Sequence, residues 1–305
     1  MGRRDRGPGP TGFAVVDKEA GWTSHDVVAK GRGVFGTRKV GHSGTLDPDA
    51  TGVLILGVGK ATRLMRFLDG ATKRYTAEIV FGVETSTLDS SGETTATYEM
   101  SFGPNEAKAA AATLTGDIDQ VPPMVSAKKV DGKRLHELAR EGIVIEREPC
   151  AVSVYEFDIE PTSDPLVYRC AVACSAGTYI RSLAADLGTV LGGGAHLRNL
   201  RRTAIGNFTD DIAQPLEEAQ LRPPHEMLAD LGVIAVSDES SVDIRYGKVL
   251  ERSVLGIADT DDRAAYPLVD SSGELLAVYE PHRGRTVKPA VVVADPPPRA
   301  PVEGD

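Results

Sequence analysis

The chain has only three cysteines in 305 residues, Cys150, Cys170 and Cys174, and no two of them stand in a C-x-x-C pair. Thiolate metal spacing is therefore missing, and an odd number cannot be fully paired within one chain, so a reducing cytoplasm is the simplest setting. No apolar run approaches the length of a membrane span, and Met1-Gly2-Arg3-Arg4 leads into Gly and Pro rather than a signal-peptide core. P-loop and zinc-ligand spacings are absent, which argues against nucleotide and metal cofactors. His42 precedes Ser43, but sequence neighbours do not make a triad. No internal repeat is present.

Cationic excess is also missing, since the net charge is −10. The distribution qualifies this: residues 1–80 hold 13 Lys/Arg against 8 Asp/Glu, whereas residues 206–305 hold 9 against 19. A local positive face on an acidic protein can still bind a polyanion, and a mixed solvated surface explains the same charges equally well. Hydrophobic residues at 41% and charged ones at 26% describe an ordinary globular protein with ample chain for one large domain and a smaller one.

The most informative stretch is Val40 to Leu64. Gly41-His42-Ser43-Gly44 is a glycine-punctuated loop that permits close approach to a ligand, and Pro48 biases Asp47 toward a bend. Asp47 either makes an Asx-turn or belongs to a site on a rigid support. Val53 to Val58 reads as a buried strand, and Leu64, Phe67 and Leu68 as one face of a following helix.

Gly12 to Lys18 reads as a strand, with Ser24 the N-cap of a helix carrying Val27 and Val28. Period-two alternation places Tyr75, Ala77, Ile79 and Phe81 on one strand face. Gly82 to Gly92 reads as loop, Asn105 to Leu114 as an alanine-rich helix, and Ser126 to Arg134 as a basic loop before a helix ending at Gly142. Leu166 to Cys174 alternates as a strand. Thr178 is the expected N-cap of a helix whose stripe is Ile180, Leu183, Ala184 and Leu187, with Gly188 as its stop. Arg181 then opposes the helix dipole, a misfit that an acidic partner would resolve. His196 to Arg202 reads as a basic ridge with an apolar underside. Beyond Pro223-Pro224, the runs 266–269, 275–279 and 290–293 form a small β-rich appendage. These residues suggest a carboxylate nucleophile with an aromatic platform, aimed at an anionic, base-bearing substrate.

The run from Gly41 to Gly52, GHSGTLDPDATG, closely resembles the signature of TruB-type tRNA pseudouridine-55 synthases. Asp17-Lys18, Gly21-Trp22-Thr23-Ser24, Lys73-Arg74-Tyr75, Pro122-Pro123, Ser126-Ala127-Lys128, Gly177 to Leu183 and Leu200 to Thr203 extend the resemblance in order, over about residues 12–208. Glu19 replaces the proline usual after Asp-Lys, and Val125 and His136 stand where tyrosines are common.

The resemblance implies an α+β fold: a pseudouridine synthase core over 12–230, with a mixed, largely antiparallel sheet flanked by helices and a basic insertion at about 122–148. A small β-rich PUA-like domain over 231–295 follows, and 1–11 and 296–305 are disordered tails. It implies a cytoplasmic, monomeric enzyme acting on the T stem-loop of tRNA, with no cofactor, metal, membrane or guide RNA. Asp47 would attack, at the ribose C1′ or by way of a glycal. Tyr75 would stack on the flipped base and could take its C5 proton. Arg181 would pair with Asp47, and Tyr179 would help hold the pair. Leu200 would wall the pocket, and His42 would fill the space the base vacates. Lys18, Lys128, Lys129, Arg134, Arg198, Arg201 and Arg202 are the expected RNA contacts. Two competing readings are an RNA-binding scaffold with a vestigial site, which should have lost Asp47 or Arg181, and a guide-RNA-directed rRNA synthase, whose kind generally lacks the basic insertion.

Overall fold

The computed structural model describes residues 9–126, 129, 130, 132–143 and 145–297. Strands β1 (Gly12–Lys18), β2 (Val40–His42) and β3 (Thr51–Val58) form one end of a nine-stranded sheet, and β4 (Lys73–Phe81) lies at its centre. A hairpin of β5 (Val83–Thr85) and β6 (Thr94–Thr97) branches from it; β7 (Gly116–Gln120) is the far edge, and β8 (Lys129–Val130) pairs with β9 (Lys133–Arg134). β10 (Cys150–Pro161), β11 (Val167–Cys174), β12 (Ala195–Ile205) and β13 (Phe208–Thr209) complete the sheet, in the order β1-β3-β12-β4-β11-β10-β7 with β2 beside β3 and β13 beside β12. Its pairings are antiparallel except β3 with β12, where Thr51 and Gly52 lie opposite Arg201 and Arg202.

The helices are α1 (Ser24–Val34), α2 (Pro104–Thr113), α3 (Leu135–Arg140), α4 (Ile180–Val190) and α5 (Asp238–Arg245). The apolar run of β3 is buried on both faces, as its lack of polar alternation requires. Val53 and Ile55 pack toward Leu64 and Met65, while Leu54 and Leu56 pack toward Val27 and Val28 of α1. β4 alternates, and its inward face of Tyr75, Ala77, Ile79 and Phe81 meets α2 and α4 in one core. A second sheet, β14 (Ile234–Ala235), β15 (Leu250–Glu251), β16 (Tyr266–Val269), β17 (Leu275–Pro281) and β18 (Thr286–Val292), runs in the order β14-β16-β17-β18-β15. It shares a core with the first, since Val278 and Val291 belong to the cluster of Phe13, Val53 and Leu64. Lys60–Asp295 at 2.5 Å and Arg66–Glu280 at 3.2 Å flank that contact.

Several local expectations change. The segment with Leu64 and Leu68 is a ten-residue 3-10 helix, Gly59–Leu68. Thr23, not Ser24, caps α1, because its hydroxyl accepts from Asp26 N while the Asp26 carboxylate accepts from Thr23 N. Tyr179, not Thr178, is the N-cap of α4, and the helix passes Gly188 to reach Val190. Gly188 serves packing instead, since a Cβ there would lie 2.5 Å from Ala195 N. Residues 195–205 are a strand rather than a ridge, and Val83–Thr85 interrupts the expected loop.

Gly52 sits where β3 leaves the Asp47 loop, at φ 98°, and a Cβ there would lie 2.2 Å from the Arg202 carbonyl oxygen. Gly52→Ala should therefore lose about 2–3 kcal/mol of unfolding free energy, from steric conflict plus left-handed strain. Urea denaturation with an unchanged midpoint would contradict this account of the β3–β12 approach.

Candidate active site

The loop between β2 and β3 presents Asp47, and neighbouring elements hold it from beneath. Lys18, at the end of β1, is only 1% exposed and donates from Nζ to the carbonyls of Glu19 (2.8 Å), Trp22 (2.6 Å) and Pro48 (2.9 Å). Gly21 N also donates to the Pro48 carbonyl at 2.9 Å. The buried Ser24 hydroxyl accepts from Leu46 N at 2.8 Å and lies 3.3 Å from the Leu46 carbonyl. Ala50 N closes a turn onto the Asp47 carbonyl at 3.1 Å. Glycine, aspartate and proline give the loop its bend, while lysine and serine from the preceding segment fix it in place.

Arg181 reaches this loop from the second residue of α4. Its Nε lies 2.9 Å from Asp47 Oδ2 and its Nη2 3.0 Å from Asp47 Oδ1, a two-pronged pair. The remaining donors are used as well: Nη1 donates to the Thr87 carbonyl and Nη2 to the Val125 carbonyl, each at 2.8 Å, and Asp89 Oδ2 lies 3.4 Å from Nη1. The guanidinium is 4% exposed and the Asp47 side chain 37%, so the pair is anchored inside and opens outward at the carboxylate. Burial pushes the Asp47 carboxyl above its ordinary value, Arg181 pulls it back, and the charge of Asp89 adds to the rise. The start of α4 is held by Gln120, whose Oε1 accepts from Tyr179 N (2.7 Å) and whose Nε2 donates to the Tyr179 carbonyl (3.1 Å).

A cleft of about 260 Å³ opens beside the pair, walled by Asp47, Arg181, Tyr75, Tyr179, Leu200 and Ile180. Tyr75 belongs to the inward face of β4 and stands directly opposite Arg202 of β12. Burial raises the Tyr75 phenol, and the neighbouring Arg202 opposes that rise. Leu200 enters the cleft because β12 bulges between Arg198 and Arg201, with Asn199 at φ 55°. A larger concavity of about 1180 Å³ lies on the outer face of β4, β10 and β11 among Thr76, Glu156 and Arg169. It holds neither Asp47 nor Arg181.

The other expected contacts are placed differently. Lys18 is buried under the loop, where burial lowers its pKa to about 8 against the raising effect of Asp49 and Asp47, so its position is a brace rather than an RNA contact. Arg198, Arg201 and Arg202 do not make one ridge, because alternation along β12 and its bulge send them apart. Arg198 pairs with Glu78 at 2.7 Å. Arg201 makes a two-pronged pair with Asp17 at 2.9 and 3.0 Å and also meets Asp210 at 3.1 Å. Arg202 is 1% exposed and donates to the Val53 carbonyl at 2.7 Å and the Gly44 carbonyl at 3.2 Å, which takes it out of reach of a phosphate backbone.

His42 lies outside the cleft lining, edge-on to His25 with centroids 5.4 Å apart. Its pKa is lowered by burial and by His25. Lys128 falls outside the described residues, as do the side chains of Lys129 and Arg134. Sequence reasoning missed Asp89, Thr87, Gln120, Lys73 and the true use of Ser24. Asp89 stands in an unremarkable Ser/Thr-rich loop, where Thr87 and Ser91 hydroxyls hold it at 2.6 and 2.5 Å. Only the need of Arg181 for further acceptors could have pointed there.

Residues 32–180 match the family model described as TruB family pseudouridylate synthase (N terminal domain), and residues 181–229 match the tRNA pseudouridylate synthase B C-terminal domain. The chain is 44% identical over 293 residues to tRNA pseudouridine synthase B of Rhodococcus jostii (strain RHA1), covering 92% of this chain and 93% of that one. It is 40% identical over 304 residues to the protein of the same name from Mycobacterium ulcerans (strain Agy99), covering 96% and 98%. Among solved structures, a Cbf5-Nop10-Gar1 complex aligns with TM-score 0.69 at 22% identity, over 97% of this chain and 90% of that chain. An H/ACA RNP bound to a substrate RNA containing 2'-deoxyuridine aligns with TM-score 0.67, also at 22%, over 92% and 84%. These two structural likenesses show a shared fold.

Lys18→Met should remove the Lys18 donor from the Glu19, Trp22 and Pro48 carbonyls, of which Pro48 keeps Gly21 N, and cost about 3 kcal/mol of stability. Because the brace lies beneath Asp47, turnover should fall while RNA affinity stays near that of the wild type. Weakened RNA binding with normal turnover would restore the contact role.

Proposed function

Because the chain belongs to the TruB family of pseudouridylate synthases, we propose that it isomerises the T-loop uridine at position 55 of tRNA to pseudouridine. The observation that carries this is the two-pronged Arg181–Asp47 pair at the mouth of a cleft faced by Tyr75. A uridine stacked in a loop must be flipped out to meet a carboxylate so placed, and the unstacking costs a few kcal/mol. Asp47 then attacks the sugar at C1′ or promotes a glycal, the base leaves through N1, turns, and is rejoined through C5. Handling an anomeric carbon with a carboxylate is the problem retaining glycosidases also solve. Arg181 keeps Asp47 ionised and aimed, against the burial that would protonate it. Tyr75 stacks on the base and takes the C5 proton, Leu200 and Tyr179 bound the cleft, and His42 fills the gap in the T-loop.

RNA is gripped chiefly by the basic insertion, Lys128, Lys129 and Arg134. This segment follows directly on Val125, whose carbonyl contacts Arg181. Residues 12–230 form the catalytic domain and 231–295 a PUA-like appendage. The enzyme works as a monomer in the cytoplasm, without guide RNA, metal or cofactor. Among the described residues no helix is long and apolar enough to cross a membrane.

The purified chain alone, given a tRNA transcript, should form pseudouridine at position 55 by mass mapping, and Asp47→Asn should abolish it while tRNA still binds. Activity only when a guide RNA is added would favour a guided enzyme, and a variant keeping a tenth of wild-type turnover would remove Asp47 from the chemistry.

Arg181→Lys keeps the charge and loses the fork. Its single-turnover rate should fall at least about tenfold, roughly 1.4 kcal/mol, with much less change in tRNA affinity. Near-normal turnover with weakened binding would make Arg181 a phosphate contact instead.

A further inference from the structure

Among the described residues Arg202 is one of the largest fully buried side chains, and it pairs with no carboxylate there. A buried guanidinium without a counter-ion is costly, and hydrogen bonds to two carbonyls offset only part of that cost. Both carbonyls belong to the site. Gly44 stands three residues before Asp47, and Val53 begins the buried run of β3. The strand register sets Arg202 directly opposite Tyr75, so the two side chains share one face of the sheet and line the same cleft.

We propose that Arg202 is a positioning residue for proton removal: it fixes the Tyr75 hydroxyl at the cleft and stabilises the phenolate that takes the proton from C5. This rests on the assignment of Tyr75 as the base. The Tyr75 hydroxyl first gives its proton to solvent. Once the base is joined to the sugar through C5, the C5–H electron pair forms the C5=C6 double bond, the N1=C6 π pair moves to N1, which takes a proton from solvent, and the C5 proton passes to the phenolate oxygen. The phenol is left neutral, and the guanidinium keeps its protons throughout.

The other charged groups around the cleft do not replace it. Lys73, on β4 itself, is buried with its Nζ on the Ala71 carbonyl at 3.1 Å, and burial and Arg202 both lower its pKa. Cys174 of β11 is pushed up to about 11 by burial. Asp47 from the β2–β3 loop disfavours the phenolate, Asp69 after the 3-10 helix carries the same sign, and Arg181 of α4 is committed to Asp47. Burial, the main influence on Tyr75, also disfavours the phenolate, and the charge of Arg202 opposes it.

Arg202→Gln and Arg202→Lys separate charge from hydrogen bonding, since both can donate to the Val53 carbonyl and only lysine is cationic. Tyrosine-labelled protein, with Tyr75 assigned by Tyr75→Phe, reports the ionisation by NMR. In the glutamine variant Tyr75 should titrate about one pH unit higher or more, and single-turnover rate should fall about tenfold at neutral pH and recover as pH rises. tRNA carrying deuterium at C5 of the target uridine should then show an isotope effect larger than in the wild type. The lysine variant should lie between the two, with tRNA affinity held throughout. An unchanged Tyr75 titration, or a rate loss equal at every pH with no added isotope effect, overturns the proposal and leaves Arg202 a tie between carbonyls. If the glutamine variant does not fold, as thermal melting would reveal, the lysine variant decides, and an unshifted pH profile there also overturns it. Full C5 proton removal by Tyr75→Phe would instead overturn the base assignment, while the NMR coupling of Arg202 to Tyr75 still stood.

Discussion

The Arg181 guanidinium is the constraint on which the rest of the site depends. Burying it at 4% exposure requires that its donors all find acceptors, and the chain meets that requirement from three separate loops. Asp47 comes from the β2–β3 loop, Thr87 and Asp89 from the β5–β6 hairpin, and Val125 from the segment after β7. A cation at the start of α4 is disfavoured by the helix dipole, by roughly 0.3–1 kcal/mol, and two carboxylates within 3.4 Å more than offset that. Assembly of the site and orientation of the carboxylate are therefore one event.

Rigidity beneath the carboxylate follows from a different set of contacts. Lys18 and Gly21 converge on one carbonyl, that of Pro48, while Ser24 holds the backbone of Leu46 on the other side of Asp47. Asp47 is thus fixed on both flanks by backbone contacts. Gly52 extends this support by letting β3 approach β12 closely, which brings Arg202 and the Leu200 bulge to the same cleft. Holding a reacting group in place before substrate arrives removes entropy that would otherwise be lost in the transition state.

Periodicity made much of the fold legible. β1, β3, β4 and β11 stand where apolar runs or alternation placed them, because each buries side chains in proportion to its pattern. β12 was obscured by its arginines, whose charges are met by Glu78, Asp17 and Asp210 on other elements, so a buried strand looked like a basic ridge. The cap of α4 was misplaced because no side chain caps this helix, and Gln120, distant in sequence, holds the backbone of Tyr179 instead. Within the site, Asp47 announced itself through its glycines and proline, and Arg181 through its conflict with the dipole. Asp89 and Arg202 gave no local signal, since what distinguishes them is who lies across space.

Pairing also changes what net charge means here. Arg74, Arg198 and Arg201 are each matched to a nearby carboxylate, so counting arginines overstates the positive charge available to a polyanion. Under the proposed function RNA affinity draws on other cations, and the sequence concentrates basic residues at Lys128, Lys129, Lys133 and Arg134. Val125 stands just before that group and accepts from Arg181. A single buried side chain, Arg181, thus joins the start of the basic segment to the carboxylate of Asp47.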